Sequence, residues 1–240
     1  MVLAAMLVGH AAGPLGSITE ASEHRGPAPA VFEHGSRDSP TVALTFDLCP
    51  THAPVELDER IVAALVAAEA PATFFVSGRW ALARPEAVRR LAAEPLFEIA
   101  NHTFHHPHLT RSDDGRIRDE LVTTDAVLEK LAGRAPRWFR PPYGEVDGRV
   151  SRIAAEVGLG TVSFDVVSGD PTPGMTVARM VRAVLDRARR GSIVVMHANH
   201  RSFPTAEAVP EIIAGLRARG LEPVTVSRLL DGSGAVERSP

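Results

Sequence analysis

The order of the sequence constrains the fold most, because short apolar β-prone runs alternate with longer runs of helical periodicity. The strand-like runs are TVALTF (41–46), ATFFVS (72–77), LFEIAN (96–101), RWFRP (137–141), TVSFDVV (161–167), SIVVMH (192–197) and PVTVS (223–227). Six helix-like runs separate them, and several end at glycine, a common residue after a helix C-terminus. Strands this apolar are typical of parallel sheets with helices on both faces. The pattern predicts an α/β fold, either a complete or incomplete barrel or a doubly wound open sheet.

The two ends of the chain differ in composition from the alternating part. Residues 12–40 are rich in proline, glycine, serine and charge, which predicts a leader or flexible extension over 1–40. The alternating part, 41–230, is predicted to be one domain, and 231–240 a tail. The first residues, MVLAAMLVGHAAG, are apolar but lack a basic segment. Two interpretations stay open: an export signal, hence a periplasmic or secreted protein, or the N-terminal segment of a cytoplasmic protein.

Charge and cysteine content exclude several classes of function. The formal net charge is −3, so no basic field favours nucleic acid or an anionic membrane surface. No apolar run is long enough for stable membrane insertion. A single cysteine, Cys49, excludes an intrachain disulfide and a CxxC metal site. The sequence leaves the oligomeric state open.

Polar or ionisable side chains follow five of the strand-like runs. In parallel α/β folds the functional residues gather at the carboxyl ends of the strands. The five residues in this position are Asp47, His102, Arg140, Asp170 and His197. We therefore expect them to surround one site.

The residue types at these strand ends indicate metal and acid–base chemistry. His102 and His106 are four residues apart, so a helical turn would bring both imidazoles to one face, where they could hold one metal ion. The two prolines of FRPPYG, 139–144, would hold Arg140 in a rigid loop, where it could keep a carboxylate ionised. His197 beside a carboxylate could act as a general acid. Each residue also has a purely structural interpretation. His102 and His106 could be surface histidines, Arg140 a surface arginine in a rigid turn, and His197 a hydrogen-bonded core histidine.

Five short motifs resemble, in order, those of the polysaccharide deacetylase family (the NodB-homology domain, carbohydrate esterase family 4). They are TFD (45–47), HTFHH (102–106), RPPY (140–143), SGDP (168–171) and VMH (195–197). The resemblance covers about residues 41–230 and implies that they form the catalytic domain. It implies a distorted (β/α) barrel of about seven parallel strands and metal-dependent hydrolysis of an N- or O-acetyl group on a glycan.

The resemblance also implies a role for each matching residue. Asp47 would be the base that deprotonates the attacking water, and Arg140 would orient it. The backbone N–H of Tyr143 would stabilise the oxyanion. His197 would be the acid that protonates the leaving group. The remaining matches are His102 and His106 as metal ligands and Asp170 as the carboxylate partner of His197.

The first motif departs from the family pattern, Thr-Phe-Asp-Asp-Gly-Pro, at two positions. Leu48 stands where the second aspartate would be the third metal ligand, and Cys49 replaces the glycine. A divalent metal, zinc in the first instance, could then take Asp47, Cys49 or His52 as its third ligand, could be held by two histidines and waters, or could be absent. Cys49 could also be a small buried residue that only fills space.

These alternatives leave three candidate functions. The first is a hydrolase that removes acetyl groups from an acetylated glycan. The second is a non-catalytic glycan-binding relic of the deacetylase fold, suggested by Leu48 and by Pro171, which replaces a tryptophan of the family's substrate groove. The third is a hydrolase of small non-peptide amides.

Overall fold

The chain folds into a single parallel sheet that packs against helices. The computed structural model describes residues 30–50, 55–199 and 203–231. The strands are β1 (Val31–Phe32), β2 (Thr41–Leu48), β3 (Ala72–Val76), β4 (Phe97–Asn101), β5 (Trp138–Phe139), β6 (Gly160–Val162), β7 (Val166–Val167), β8 (Ile193–His197) and β9 (Glu222–Val224). The α-helices are α1 (Glu59–Ala67), α2 (Gly78–Ala83), α3 (Pro85–Ala93), α4 (Asp114–Ala132), α5 (Gly148–Glu156), α6 (Val177–Leu185), α7 (Thr205–Ala218) and α8 (Val226–Asp231).

The strands follow the order β1-β6-β5-β4-β3-β2-β8-β7, and β9 also pairs with β2. All pairings between these strands are parallel. Parallel neighbours need crossover connections, which the helices provide. The result is a half-barrel of parallel strands covered by helices, so the predicted fold class is confirmed.

The central strand, β2, separates two apolar layers. Residues at alternate positions point to opposite faces of a strand. Leu44, Phe46 and Leu48 belong to the large core between the sheet and the helices. On the opposite face, Ala43 packs in a second apolar cluster, whereas Thr45 and Asp47 are buried polar residues. The inner face of the half-barrel therefore becomes polar towards the carboxyl end of β2.

Helix ends follow local sequence signals. The side chains of Asp58, Asp113 and Asp147 accept hydrogen bonds from backbone N–H groups in the first turns of α1, α4 and α5. These carboxylates satisfy N–H groups that have no partner inside the helix. Gly133 ends α4 in the left-handed conformation, with φ of 74°.

Four details of the strand and helix pattern differ from the sequence prediction. The run at 223–227 is a strand only to Val224, because Val226 begins α8 and its N–H donates to Thr73 Oγ1 and not to a neighbouring strand. The run at 161–167 forms two strands, β6 and β7, because Asp165 between them accepts from the Ile193 N–H and pairs with Arg37. The two-residue strand β1 and the six-residue helix α2 were not predicted, since segments so short carry little periodicity.

The predicted division into leader, catalytic domain and tail stays a prediction. Residues 1–29 and 232–240 lie outside the described part of the chain, so the export signal and most of the tail are not observed. Residues 30–40, assigned to the leader, contribute β1, which pairs with β6. In the described part of the chain, no helix has the length and apolar character needed to cross a membrane.

Candidate active site

A pocket of about 380 Å³ lies at the carboxyl ends of the strands. Its lining residues lie in or shortly after six strands of the sheet, β2 and β4 to β8. Those with chemically active side chains are Asp47, Cys49, His102, His106, Tyr143, Asp170 and His197. Of the residues predicted for the site, six therefore line one pocket, and Arg140 lies behind it in contact with Asp47. Their chemical roles stay predictions.

Asp47 is held by the guanidinium of Arg140. Arg140 is fully buried and donates from Nη1 to Asp47 Oδ1 (2.8 Å) and to Thr45 Oγ1 (2.8 Å). Its guanidinium also lies over the Phe75 ring, 3.9 Å from the centroid. Burial alone would raise the pKa of Asp47, but the positive charges of Arg140 and two nearby histidines bring that pKa below its usual value. Asp47 is therefore an ionised carboxylate at neutral pH.

His197 is directly opposite Asp47 in the pairing of β8 with β2. Its Nδ1 donates to Asp170 Oδ1 (2.9 Å), and its backbone N–H donates to Asp170 Oδ2 (2.6 Å). Thr205 also donates to Asp170 (3.0 Å). Burial would lower the pKa of His197, but the bond to Asp170 and the contact with Cys49 raise it well above its usual value. The pocket thus places a carboxylate and an imidazolium on neighbouring strands.

His102 and His106 meet in the pocket, but through a loop and not through the helical turn considered above. Their rings are 4.8 Å apart. After β4 the chain takes left-handed backbone angles at Thr103 (φ 61°) and His106 (φ 63°). Such angles cost roughly 1–3 kcal/mol in non-glycine residues and persist only where surrounding contacts hold them.

Glu120 supplies much of that support, although it was not among the residues predicted for the site. This buried side chain accepts hydrogen bonds from the backbone N–H groups of Phe104 and His105, each at 2.7 Å, and from His105 Nδ1. Its signal was a glutamate on the apolar face of α4, at helical spacing from the buried residues Ile117, Leu121, Thr124 and Leu128. A charge on a core-facing stripe indicates a specific partner.

Tyr143 also has a left-handed backbone, with φ of 61°. Its ring is 58% exposed, stacks on His108 with centroids 4.1 Å apart, and meets His106 edge-on. His108 in turn bonds Glu145. The loop of Arg140 and Tyr143 is therefore fixed against the histidine loop. That the Tyr143 backbone N–H stabilises an oxyanion stays a prediction.

Leu48 and Cys49 occupy opposite sides of the same backbone. Because β2 continues through Leu48, the Leu48 side chain points into the core and is fully buried there. Ser77 donates both its N–H and its hydroxyl to the Leu48 carbonyl, which holds this register. Asp47 and Cys49, two residues apart, both reach the pocket. The position without a metal-binding side chain therefore does not face the site.

The donors present in the pocket fit a divalent metal ion. Cys49, His102 and His106 offer three ligand atoms within 4.8 Å of one another. Asp47 Oδ2 is 3.7 Å from His102 Nε2, but Asp47 Oδ1 is engaged with Arg140. Burial raises the pKa of the Cys49 thiol, whereas hydrogen bonds from three histidines lower it, and the net pKa lies well below its usual value. His52, the other substitute considered, lies outside the described residues.

Leu48→Asp is expected to destabilise the protein without adding a metal ligand. A carboxylate at this position would lie in the apolar core, where an unpaired charge costs several kcal/mol, and we expect a loss of about 3 kcal/mol or more. Urea unfolding and elemental analysis of the purified protein measure both effects.

The matched control for Leu48→Asp is Leu48→Met, which preserves volume and is expected to cost less than about 1.5 kcal/mol. A Leu48→Asp protein of unchanged stability that gains bound metal would show that the side chain faces the pocket.

Comparisons with known proteins identify the family of the chain. The family model described as polysaccharide deacetylase matches residues 34–162. The chain is 35% identical to the chitooligosaccharide deacetylase of Bradyrhizobium sp. (strain ANU 289), over 76% of this chain and 87% of the relative. It is also 31% identical to the uncharacterised protein YlxY of Bacillus subtilis (strain 168), over 85% of this chain but 61% of that protein's length. The chain thus spans less than two thirds of YlxY.

Two solved structures resemble the fold closely. One is the Bc1960 peptidoglycan N-acetylglucosamine deacetylase, with a TM-score of 0.78 and 30% identity over 85% of this chain and 94% of that one. The other is BA3943, a CE4 family pseudoenzyme from Bacillus anthracis, with a TM-score of 0.78 and 28% identity over 85% and 69%. The matching family model covers more than half of the chain. The chain also covers 87% of the relative with which it is 35% identical. The chain therefore belongs to the polysaccharide deacetylase family.

Proposed function

We propose that this protein is a metal-assisted hydrolase that removes acetyl groups from an acetylated glycan. The observation that carries the proposal is the register of β2 with β8, which sets Asp47 and His197 side by side at one pocket. Each has its own partner, Arg140 for Asp47 and Asp170 for His197. A base and an acid whose pKa values are shifted apart are the pair that amide or ester hydrolysis needs.

The proposed reaction uses Asp47 first. Arg140 occupies Asp47 Oδ1, so Oδ2 is the atom that takes the proton from a water molecule as its oxygen attacks the acetyl carbonyl carbon. The carbonyl π electrons move to oxygen, and a backbone donor at Tyr143 stabilises that negative charge. A divalent metal held by the two histidines polarises the carbonyl and the water when it is bound.

His197 completes the reaction. The C–N or C–O bond breaks as the imidazolium gives its proton to the leaving amine or alkoxide, and acetate is the other product. Asp170 keeps the ring oriented and stabilises its protonated form through the Nδ1–H bond. The proton that Asp47 took from water then passes to His197. Both groups return to their starting protonation states, which balances the cycle.

The relatives support a glycan as substrate. Those named above include a chitooligosaccharide deacetylase and a peptidoglycan N-acetylglucosamine deacetylase. The pocket is open at Val167, which is 53% exposed, beside Pro171. An open wall suits a sugar chain that extends beyond the acetyl group.

Purified protein supplied with zinc or cobalt is expected to release acetate from acetylated chitooligosaccharides, peptidoglycan fragments or O-acetylated xylan. Chelation should lower the rate by at least about 100-fold, since a metal contributes several kcal/mol to such reactions, and added metal should restore it. Acetate release measured by an enzyme-coupled assay checks both expectations.

The second candidate is glycan binding without turnover. The fully buried Leu48 and the similarity to the pseudoenzyme BA3943 favour it. It would replace the proposal if no substrate in the panel released acetate while glycans still bound to the metal-free protein. Release from small acetylated or formylated amines alone would instead identify a hydrolase of small non-peptide amides.

A further inference from the structure

Cys49 lies in the pocket beside His102 and His106. Two residues along a strand return a side chain to the same face, so Cys49 reaches the pocket as Asp47 does. We propose that the Cys49 thiolate binds the metal together with His102 and His106, so that this protein has a Cys-His-His site. The proposal deepens the proposed function, but it concerns metal binding and is tested separately from turnover.

The distances between the ligand atoms carry the proposal. Cys49 Sγ is 3.7 Å from His102 Nε2 and 3.5 Å from His106 Nε2. A tetrahedral zinc with bonds of about 2.3 Å to sulfur and about 2.0–2.1 Å to nitrogen separates sulfur and nitrogen by about 3.5–3.6 Å. Both sulfur–nitrogen distances are close to that value. Each imidazole is therefore spaced from the sulfur as a second ligand of the same ion would be, and the three ligand atoms all lie within 4.8 Å of one another.

His102 is also oriented as a ligand. Its Nδ1 lies 2.9 Å from the carbonyl oxygen of Arg140, which can only accept, so Nδ1 carries a proton. In the neutral ring, Nε2 then offers its lone pair on the side of Cys49. Metal-binding histidines usually make this second hydrogen bond, which fixes the ring and its tautomer.

A hydrogen-bonded thiol accounts for less of this arrangement. A neutral S–H group donates its one proton to one nitrogen at a time, yet Sγ lies at similar distances from two. A thiolate that accepted from both imidazoles would need a proton on both Nε2 atoms, whereas the proton of the neutral His102 ring is on Nδ1. The loop also holds His106 at a costly left-handed backbone angle, supported by the bond from its N–H to Thr103 Oγ1 (3.1 Å). A merely space-filling cysteine would not need both imidazoles directed towards it.

The ligand type predicts which ion is preferred. A carboxylate and two imidazoles accept many divalent ions, whereas a thiolate favours zinc and disfavours magnesium and manganese. Three protein ligands also leave the fourth position of a tetrahedral ion open, as in catalytic zinc sites.

Cobalt(II) tests the proposal, because thiolate ligation of cobalt gives a near-ultraviolet charge-transfer band whether or not the protein is active. Full-length protein loaded with Co²⁺ should show the band. Cys49→Ser should lose it and bind Co²⁺ at least about 100-fold more weakly in chelator competition, because even losing an outer partner of a ligand costs about 10- to 100-fold. Cys49→Asp should bind Co²⁺ more tightly than Cys49→Ser, without the band.

Val167→Ala is the control, because Val167 lines the same pocket and has no metal-binding atom. It should keep the band. Wild-type protein that binds Co²⁺ without a sulfur band, or Cys49→Ser with unchanged affinity, would overturn the proposal. Metal-free turnover that stops on alkylation of Cys49 would also overturn it and indicate a nucleophilic cysteine. A normal band with no acetate release would instead leave this site in place and refute the deacetylase function.

Discussion

Asp47→Asn is expected to lower kcat for acetate release by about 10³-fold, within the range of about 10²–10⁴ for loss of a general base. An amide cannot take the proton from the attacking water, although it keeps the size and the contact with Arg140. KM should change little, because the lost interaction belongs to the transition state and not to substrate binding. Steady-state kinetics on an acetylated chitooligosaccharide separates the two parameters.

The matched control for Asp47→Asn is Asp186→Asn, the same chemical change at an exposed residue that follows α6. Its kcat should stay at the wild-type value. If Asp47→Asn retained more than a tenth of the wild-type kcat, the base would have to be another group, and the reaction proposed for the pocket would be wrong.

Arg140→Met is expected to lower the free energy of unfolding by about 3–5 kcal/mol, which is typical when one partner of a buried ion pair is removed. The variant leaves the Asp47 carboxylate buried without its main counter-charge, and it also removes bonds to Thr45 and to the Ser163 carbonyl. Urea unfolding followed by circular dichroism measures the loss. The double variant Arg140→Met/Asp47→Asn should recover part of it, since the unpaired charge is then absent.

Arg137→Met provides the comparison, because Arg137 lies three residues before Arg140 and also pairs with an aspartate, Asp231. That pair, Arg137 with Asp231, is more than half exposed on both sides. Exposed ion pairs contribute about 0–1 kcal/mol, so Arg137→Met should have a small effect. Equal losses for the two variants would mean that the buried pair with Asp47 contributes little to stability.

Much of the candidate site could be predicted from the sequence because it follows a simple rule of parallel sheets. Each of Asp47, His102, Arg140, Asp170 and His197 comes at or shortly after the end of an apolar run, and the carboxyl ends of parallel strands meet at one edge. Glu120 could not be found this way. It lies in the middle of α4 and acts on the histidine loop through contacts that no local pattern specifies.

The histidine loop shows why local spacing alone misleads. The four-residue spacing of His102 and His106 suggested a helical turn, but Thr103 and His106 adopt left-handed angles in a non-helical loop. Hydrogen bonds from distant residues stabilise that backbone against its intrinsic preference. The two imidazoles do meet, but tertiary contacts of the loop bring them together and not the spacing of a helix.

Strand periodicity and ordered motifs are local properties, so the sequence alone predicts the parallel α/β fold, the family and most residues around the pocket. The orientations of Leu48 and Cys49, in contrast, depend on tertiary contacts. The extension of β2 to Leu48 and its pairing with Val76 set which side chain faces the core. One residue of register exchanges the two faces of a strand. That register buries the leucine and brings the chain's single cysteine to within 3.7 Å of two histidines.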